Sequence, residues 1–170
     1  MSADAEQIEF MKPKLFEAIE LRKNKKPEEA LLILKELLRK HPEDPDINYQ
    51  MAWTFDSMGN ESGAVPFYEK AIQNGLKEDR EGALLGLGST YRCLGDYEKS
   101  LKVFDQAIQE FPANRSLQTF RALTLYNLGR NEESVSQLLV QLLDTTQDPS
   151  IKSYEKALRF YSDKLNETWK

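Results

Sequence analysis

The chain has one cysteine, Cys93, and one histidine, His41, in 170 residues. A single cysteine excludes an intrachain disulfide and fits a reducing, cytoplasmic compartment. One His and one Cys leave no usual ligand set for zinc or another transition metal, so neither a metal nor a cofactor is expected. A His-dependent triad would have to use His41, which has no Ser or Cys nucleophile motif around it. Glycine (8) and proline (7) are also scarce; their share falls below the usual value of about 12%, so few breakers interrupt a helical chain. Long apolar runs are missing. The longest uncharged stretches, such as residues 82–91 and 134–143, reach about half of the ~20 residues a membrane span needs. The first ten residues are polar and acidic with no apolar signal core. Basic charge is in the minority, 23 Lys and Arg against 28 Asp and Glu, for a net charge of −5. Such a chain lacks the positive field that draws proteins to nucleic acid or anionic lipid.

What is present is a repeat. The turn Met58-Gly59-Asn60 recurs as Leu94-Gly95-Asp96 and Leu128-Gly129-Arg130, with glycine spacings of 36 and 34. Five residues after each glycine stands a small residue (Ala64, Ser100, Ser134), and four further on a large one (Tyr68, Phe104, Leu138). The register extends back to Ala30 and Leu34, where Lys25 takes the place of the turn glycine.

Each unit reads as two helices. Met51, Ala52 and Phe55, and again Leu87, Gly88 and Tyr91, give one packed face before the glycine. The glycine ends that helix in a left-handed cap. Acid pairs such as Glu28-Glu29 and Glu132-Glu133 open the second helix. His41-Pro42 and Phe111-Pro112 stop it. Asp148-Pro149 opens a last amphipathic helix carrying Ile151, Tyr154, Leu158, Tyr161 and Leu165, which brings the count to about nine. Pro13 either starts the first helix or kinks a longer one that begins near Asp4.

The third unit, with Leu84, Leu87-Gly88, Tyr91, Gly95-Asp96-Tyr97, Ser100, Phe104, Ala107 and Pro112, resembles the tetratricopeptide repeat. The second unit matches at Ala52, Phe55, Gly59, Ala64, Tyr68 and Ala71, whereas the first and fourth are degenerate. Residues 53–138 are also similar to the small stand-alone bacterial proteins of that family classed as group 5. The resemblance implies an all-α fold: a right-handed α-solenoid of about four helix hairpins with a C-terminal capping helix. One domain over residues 1–170 is expected, with repeats at about 11–44, 45–80, 81–114 and 115–147 and the capping helix over 149–168.

In this family the first helices of the hairpins line a concave wall. The residue one step beyond each packed position turns about 100° toward that groove. The resulting stripe is Tyr49, Trp53 and Asp56 in unit two, Leu85, Ser89 and Arg92 in unit three, and Thr119, Leu123 and Tyr126 in unit four. Unit one adds Leu15, Ile19 and Arg22. Trp53 is informative because the repeat's usual tryptophan belongs on the packed stripe, where this chain has Asn48. The family's best-known mode clamps a C-terminal carboxylate with Lys and Asn side chains; those places hold Leu15, Ile19, Gln50, Gly82 and Gly86, so the clamp is absent.

Three occupants of the groove stay open at this point: a peptide or helix of a partner protein, the chain's own terminal helix, or a second copy. Trp53 and Tyr126 also read as repacked core of a divergent repeat. The remaining signals have plain readings. Residues 22–26 (Arg-Lys-Asn-Lys-Lys) read as a solvated turn, His41 and Cys93 as structural, and the Asn60, Asn114 and Asn166 sequons as without meaning. The function expected is a non-catalytic protein–protein interaction module, with the Arg92/Asp56 pair helping to set partner identity. The alternative is a homodimeric scaffold joined through the groove or the Tyr161/Trp169 face.

Overall fold

A computed structural model describes the backbone of residues 3–170 and the side chains of residues 11–170. Among the described residues every regular element is helical: α1 (Ala3–Lys23), α2 (Pro27–Lys40), α3 (Pro45–Ser57), α4 (Glu61–Gln73), α5 (Arg80–Cys93), α6 (Tyr97–Glu110), α7 (Arg115–Asn127), α8 (Asn131–Thr145), α9 (Pro149–Lys152) and α10 (Glu155–Tyr161). Pro13 lies inside α1, so the longer of the two alternatives for the first helix is the one adopted.

The helices end where the sequence places its turns, and for the expected reason. Gly59, Gly95 and Gly129 have φ of +71°, +82° and +75°, a region that a Cβ makes costly. Lys25 occupies the same position with φ +60°. Each turn from residue 25, 59 or 129 closes with the next amide bonded five residues back, as in Lys26 N–H to Leu21 O, Asn60 to Phe55 and Arg130 to Leu125. Helix starts are capped by side chains. Asp44 accepts from the Ile47 amide, Asn60 from Gly63, and Asn114 from Ser116 and Leu117. Two of the three sequons are therefore helix caps.

Packing divides the chain into two compact units, Met1–Leu94 and Gly95–Lys170, with the boundary in the turn that joins α5 to α6. In the first unit α1 pairs with α2 and α3 with α4, and α5 packs on α4. Its core holds Ala30, Leu34, Ala52, Ala64, Tyr68, Ala71, Leu84 and Leu87, all 5% exposed or less. Asn48, in the place of the family's tryptophan, is fully buried and donates to the carbonyls of Pro42 and Asp44. It ties down the turn that leads into α3. In the second unit α7 pairs with α8, α6 packs on α7, and α10 lies on α8. The small positions Ser100 and Ser134 are buried there as well; the Ser100 and Thr124 hydroxyls pair at 2.9 Å, and Ser134 Oγ donates to Ala122 O.

The C-terminal helix expected over 149–168 is not continuous. It consists of α9 and α10, which raises the count from nine to ten among the described residues. Asp148 caps α9 as anticipated. At Tyr154, however, the amide bonds only three residues back, to Ile151 O, and the Ser153 hydroxyl donates to the Ser150 carbonyl. Tyr154 then points outward at 67% exposure, so the apolar stripe is not buried as one face. Beyond Tyr161 the chain turns back until Trp169 meets Phe160 and Tyr161, with ring centroids 5.9 and 5.4 Å apart.

A candidate interaction site on α3 to α5

In the first unit, Tyr49, Trp53 and Asp56 follow one another at i, i+4 and i+7 along α3 and share a face. With Tyr68 of α4 and Gly82, Leu85, Gly86 and Ser89 of α5, they line an open cavity of about 460 Å³. Trp53 is 45% exposed, whereas Tyr49 and Tyr68 are buried, at 5% and 3%. The Tyr49 ring lies between the other two, with centroids 5.7 Å from Trp53 and 6.2 Å from Tyr68.

Gly82 and Gly86, two of the three glycines on α5, make this arrangement possible. A Cβ on Gly82 would sit 2.7 Å from the Tyr49 hydroxyl, and one on Gly86 would sit 2.6 Å from both Cζ and the hydroxyl of Tyr68. Two missing side chains on one helix thus give room to two tyrosines reaching from its neighbours.

Charge is sparse at the site. Asp56 accepts from the Tyr68 hydroxyl at 2.8 Å, and the Thr90 hydroxyl lies 3.0 Å from the same carboxylate. Burial raises the Asp56 pKa against the lowering effect of these two bonds, and Glu61 raises it further. Burial also pushes the Tyr49 phenol up to about 12 and that of Tyr68 higher still.

The structure revises the reading of Arg22. It is 8% exposed and lies over the Trp53 ring, with Cζ 4.1 Å from the centroid. Nη1 makes long contacts of 3.4 Å to Gln50 O and Thr54 Oγ1, and Nη2 is buried without a partner. Burial accordingly lowers its pKa. The solvated turn read over residues 22–26 therefore begins at Lys23, where Lys23 pairs with Glu20 and Lys26 with Glu29. Cys93, read as structural, is exposed.

The nine expected groove residues separate as follows. Tyr49, Trp53, Asp56, Leu85 and Ser89 meet at the cavity. Arg92 is half-buried, with Nε buried and unpartnered, and is not among the residues that line the cavity. In the second unit Thr119, Leu123 and Tyr126 follow one face of α7. Thr119 bonds the Arg115 carbonyl, while Leu123 and Tyr126 are 37% and 65% exposed.

A family model described as "Tetratrico peptide repeat" (TPR_5) matches residues 45–165. The chain belongs to the tetratricopeptide-repeat family. Superkiller protein 3 of Saccharomyces cerevisiae is 31% identical over 93 residues, 51% of this chain and 6% of that protein. The human signal recognition particle subunit SRP72 is 30% identical over 145 residues, 81% of this chain and 21% of that subunit. The chain thus spans a small fraction of the curated relatives it matches. YrrB, described as a TPR protein with an unusual peptide-binding site, shares the fold with a TM-score of 0.72 at 19% identity, over 98% of this chain and 86% of that one.

Family membership explains the hairpins but not every residue of the site. Sequence reading placed Arg22 on the stripe of unit one but missed its contact with Trp53 and the part played by Tyr68, Gly82 and Gly86. The available signal was the pair of glycines four apart on α5, an expensive choice inside a helix unless something stands opposite. Among the described residues no group of three or more His, Cys, Asp or Glu could hold a metal. No described helix is long and apolar enough to cross a membrane.

Proposed function

We propose that this tetratricopeptide-repeat protein is a non-catalytic interaction module that binds a segment of another protein in the cavity on α3 to α5. Proteins of the family mediate protein–protein interaction, and YrrB's description as peptide-binding is consistent with an extended segment as ligand. The observation that carries the reading is Trp53. A large ring is held half in solvent at the rim of an open cavity, backed by Arg22 and Tyr49. Aromatic anchors of this kind supply much of the energy at interfaces, about 2 kcal/mol or more each when truncated. Because the rings are already packed, little ordering entropy is lost on binding. The exposed stripe of Leu123 and Tyr126 on α7 is proposed as a contact surface in its own right, and a cytoplasmic setting is part of the reading, on the single cysteine.

The test is capture from the source cell's lysate with wild type and a Trp53→Ala/Leu85→Glu variant, after circular dichroism confirms that the variant folds. A protein retained by wild type and lost by the variant places binding in the cavity. Identical retention by both removes the cavity from the reading.

A second reading, self-assembly, rests on a separate observation. Phe160, Tyr161 and Trp169 form one cluster of touching rings, each 44–57% exposed. Light scattering decides it. A mass that doubles from 19.6 kDa with concentration and reverts in Trp169→Ser supports a dimer through that face. A constant 19.6 kDa excludes one.

A further inference from the structure

The charges and rings of the α3–α5 cavity specify what kind of side chain it accepts. Among the lining residues the one formal charge is Asp56. Both hydroxyls that reach it, from Tyr68 and Thr90, are neutral, and the one charged group acting on it from a distance, Glu61, is of like sign. Arg22 lies over the Trp53 ring, but it backs that ring and is not among the residues that line the cavity. The walls therefore present three aromatic rings, Tyr49, Trp53 and Tyr68, around a half-buried carboxylate that has no counter-ion among the described residues.

An aromatic face carries negative potential and attracts an ammonium or guanidinium group within about 6 Å of its centroid. The guanidinium of Arg22, 4.1 Å from the Trp53 centroid, shows the same ring receiving a cation within this protein. Each competing occupant meets a specific penalty. An acidic side chain would bring like charge against Asp56. A purely apolar one would strip water from that carboxylate without replacing it. A lysine or arginine avoids both penalties, and its aliphatic stem packs along the rings and Leu85 while its charged end reaches Asp56.

Resting on the proposed groove function, we infer that the cavity receives a lysine or arginine side chain of the partner segment, its charge held between the aromatic rings and the Asp56 carboxylate. The partner segment is thus basic, the complement of a chain that itself carries a net charge of −5.

The experiment is a selection of random twelve-residue peptides on the full chain carrying Trp169→Phe, which leaves Trp53 as the only tryptophan. Peptides that also bind the Trp53→Ala variant are removed. The selected peptides are then synthesised and titrated by Trp53 fluorescence. The expected result is a shared Lys or Arg position; replacing it with norleucine, which keeps the carbon stem without the charge, weakens binding about tenfold. Asp56→Asn is expected to cause a similar loss. Should Asp56→Asn fail to fold, Ser89→Lys, which sets a cation at the cavity wall, is expected to do the same. Peptides that depend on Trp53 but share no basic position, or that bind equally well with norleucine, overturn the inference and leave the groove function standing. If no selected peptide depends on Trp53, the groove function fails and the inference fails with it.

Discussion

Gly86 offers the sharpest test of how the cavity is built. Glycine inside a helix ordinarily costs about 1 kcal/mol relative to alanine, so Gly→Ala at an open helical position stabilises. At residue 86 the added Cβ would lie 2.6 Å from Cζ and from the hydroxyl of Tyr68 and 2.8 Å from its Cε1. That ring cannot yield cheaply, because Tyr68 is 3% exposed and its hydroxyl donates to Asp56 at 2.8 Å. Overpacking of this kind costs about 1–3 kcal/mol. Displacing the ring also weakens a bond to a charged group, which contributes about 1.5–3 kcal/mol when intact. Set against the helix-propensity gain, Gly86→Ala is expected to destabilise by about 2 kcal/mol. For a chain of this size that is a drop of roughly 4–8 °C in Tm. Thermal and urea unfolding followed by far-UV circular dichroism measure it. The control is the same substitution in a Tyr68→Leu background, where the obstructing ring atoms are gone. There Gly86→Ala is expected to be neutral or to stabilise by up to about 1 kcal/mol. If Gly86→Ala raises Tm in the wild-type background, the exchange of a glycine for a tyrosine ring is refuted. Gly82→Ala is expected to cost less, because its Cβ meets only the tip of Tyr49, with Cζ 3.6 Å away.

Three further outcomes are expected. Lys25→Gly relieves a left-handed residue that carries a Cβ, at φ +60°, and is expected to raise stability by about 0.5–1 kcal/mol in the same unfolding assay; a fall would show that the Lys25 side chain has a stabilising role. Asn114→Ala removes the acceptor for two free amides at the start of α7 and is expected to cost about 1 kcal/mol, most of it regained in Asn114→Asp. In alkali, Tyr49 titrates at about 12 rather than 10, chiefly through burial and secondarily through Asp79. Because the folded state holds the proton more tightly, this stability is present in full below pH 10 and is lost as pH rises to 12. Absorbance at 295 nm is expected to show a late phenol ionisation near pH 12, and its loss in Tyr49→Phe assigns it. A titration already complete at pH 10 would count against the burial of Tyr49 and Tyr68.

The repeat was legible because its determinants are local. A left-handed turn needs a particular φ, and Gly59, Gly95 and Gly129 announce it wherever they stand; Lys25 was recognisable only by its place in the register. Small residues at Ala64, Ser100 and Ser134 fit the same logic, since helices close on them. The C-terminal segment shows the limit of periodicity. Ile151, Tyr154 and Leu158 have helical spacing, but spacing does not guarantee a surface to pack against, and Tyr154 finds none. At the site, rotating one step from the packed stripe located Tyr49, Trp53 and Asp56 on a common face.

The residues that escaped notice are those whose meaning lies in a distant neighbour. Arg22 reads both as a stripe residue of unit one and as the start of a basic turn, and only its contact with Trp53, 31 positions later, decides between them. Tyr68 sits at a packed position in the repeat, and nothing local indicates that its hydroxyl crosses to Asp56. Gly82 and Gly86 read as gaps because a missing side chain has significance only through what fills its place. The scaffold follows from the repeat pattern shared by each unit; the cavity arises where the second and third units depart from it together. There Asn48 replaces an expected tryptophan, Trp53 stands five residues further on, and two glycines face two tyrosines. A single reversion within that set should therefore disturb the others more than the helices that carry them, which is what the Gly86/Tyr68 double-mutant cycle measures.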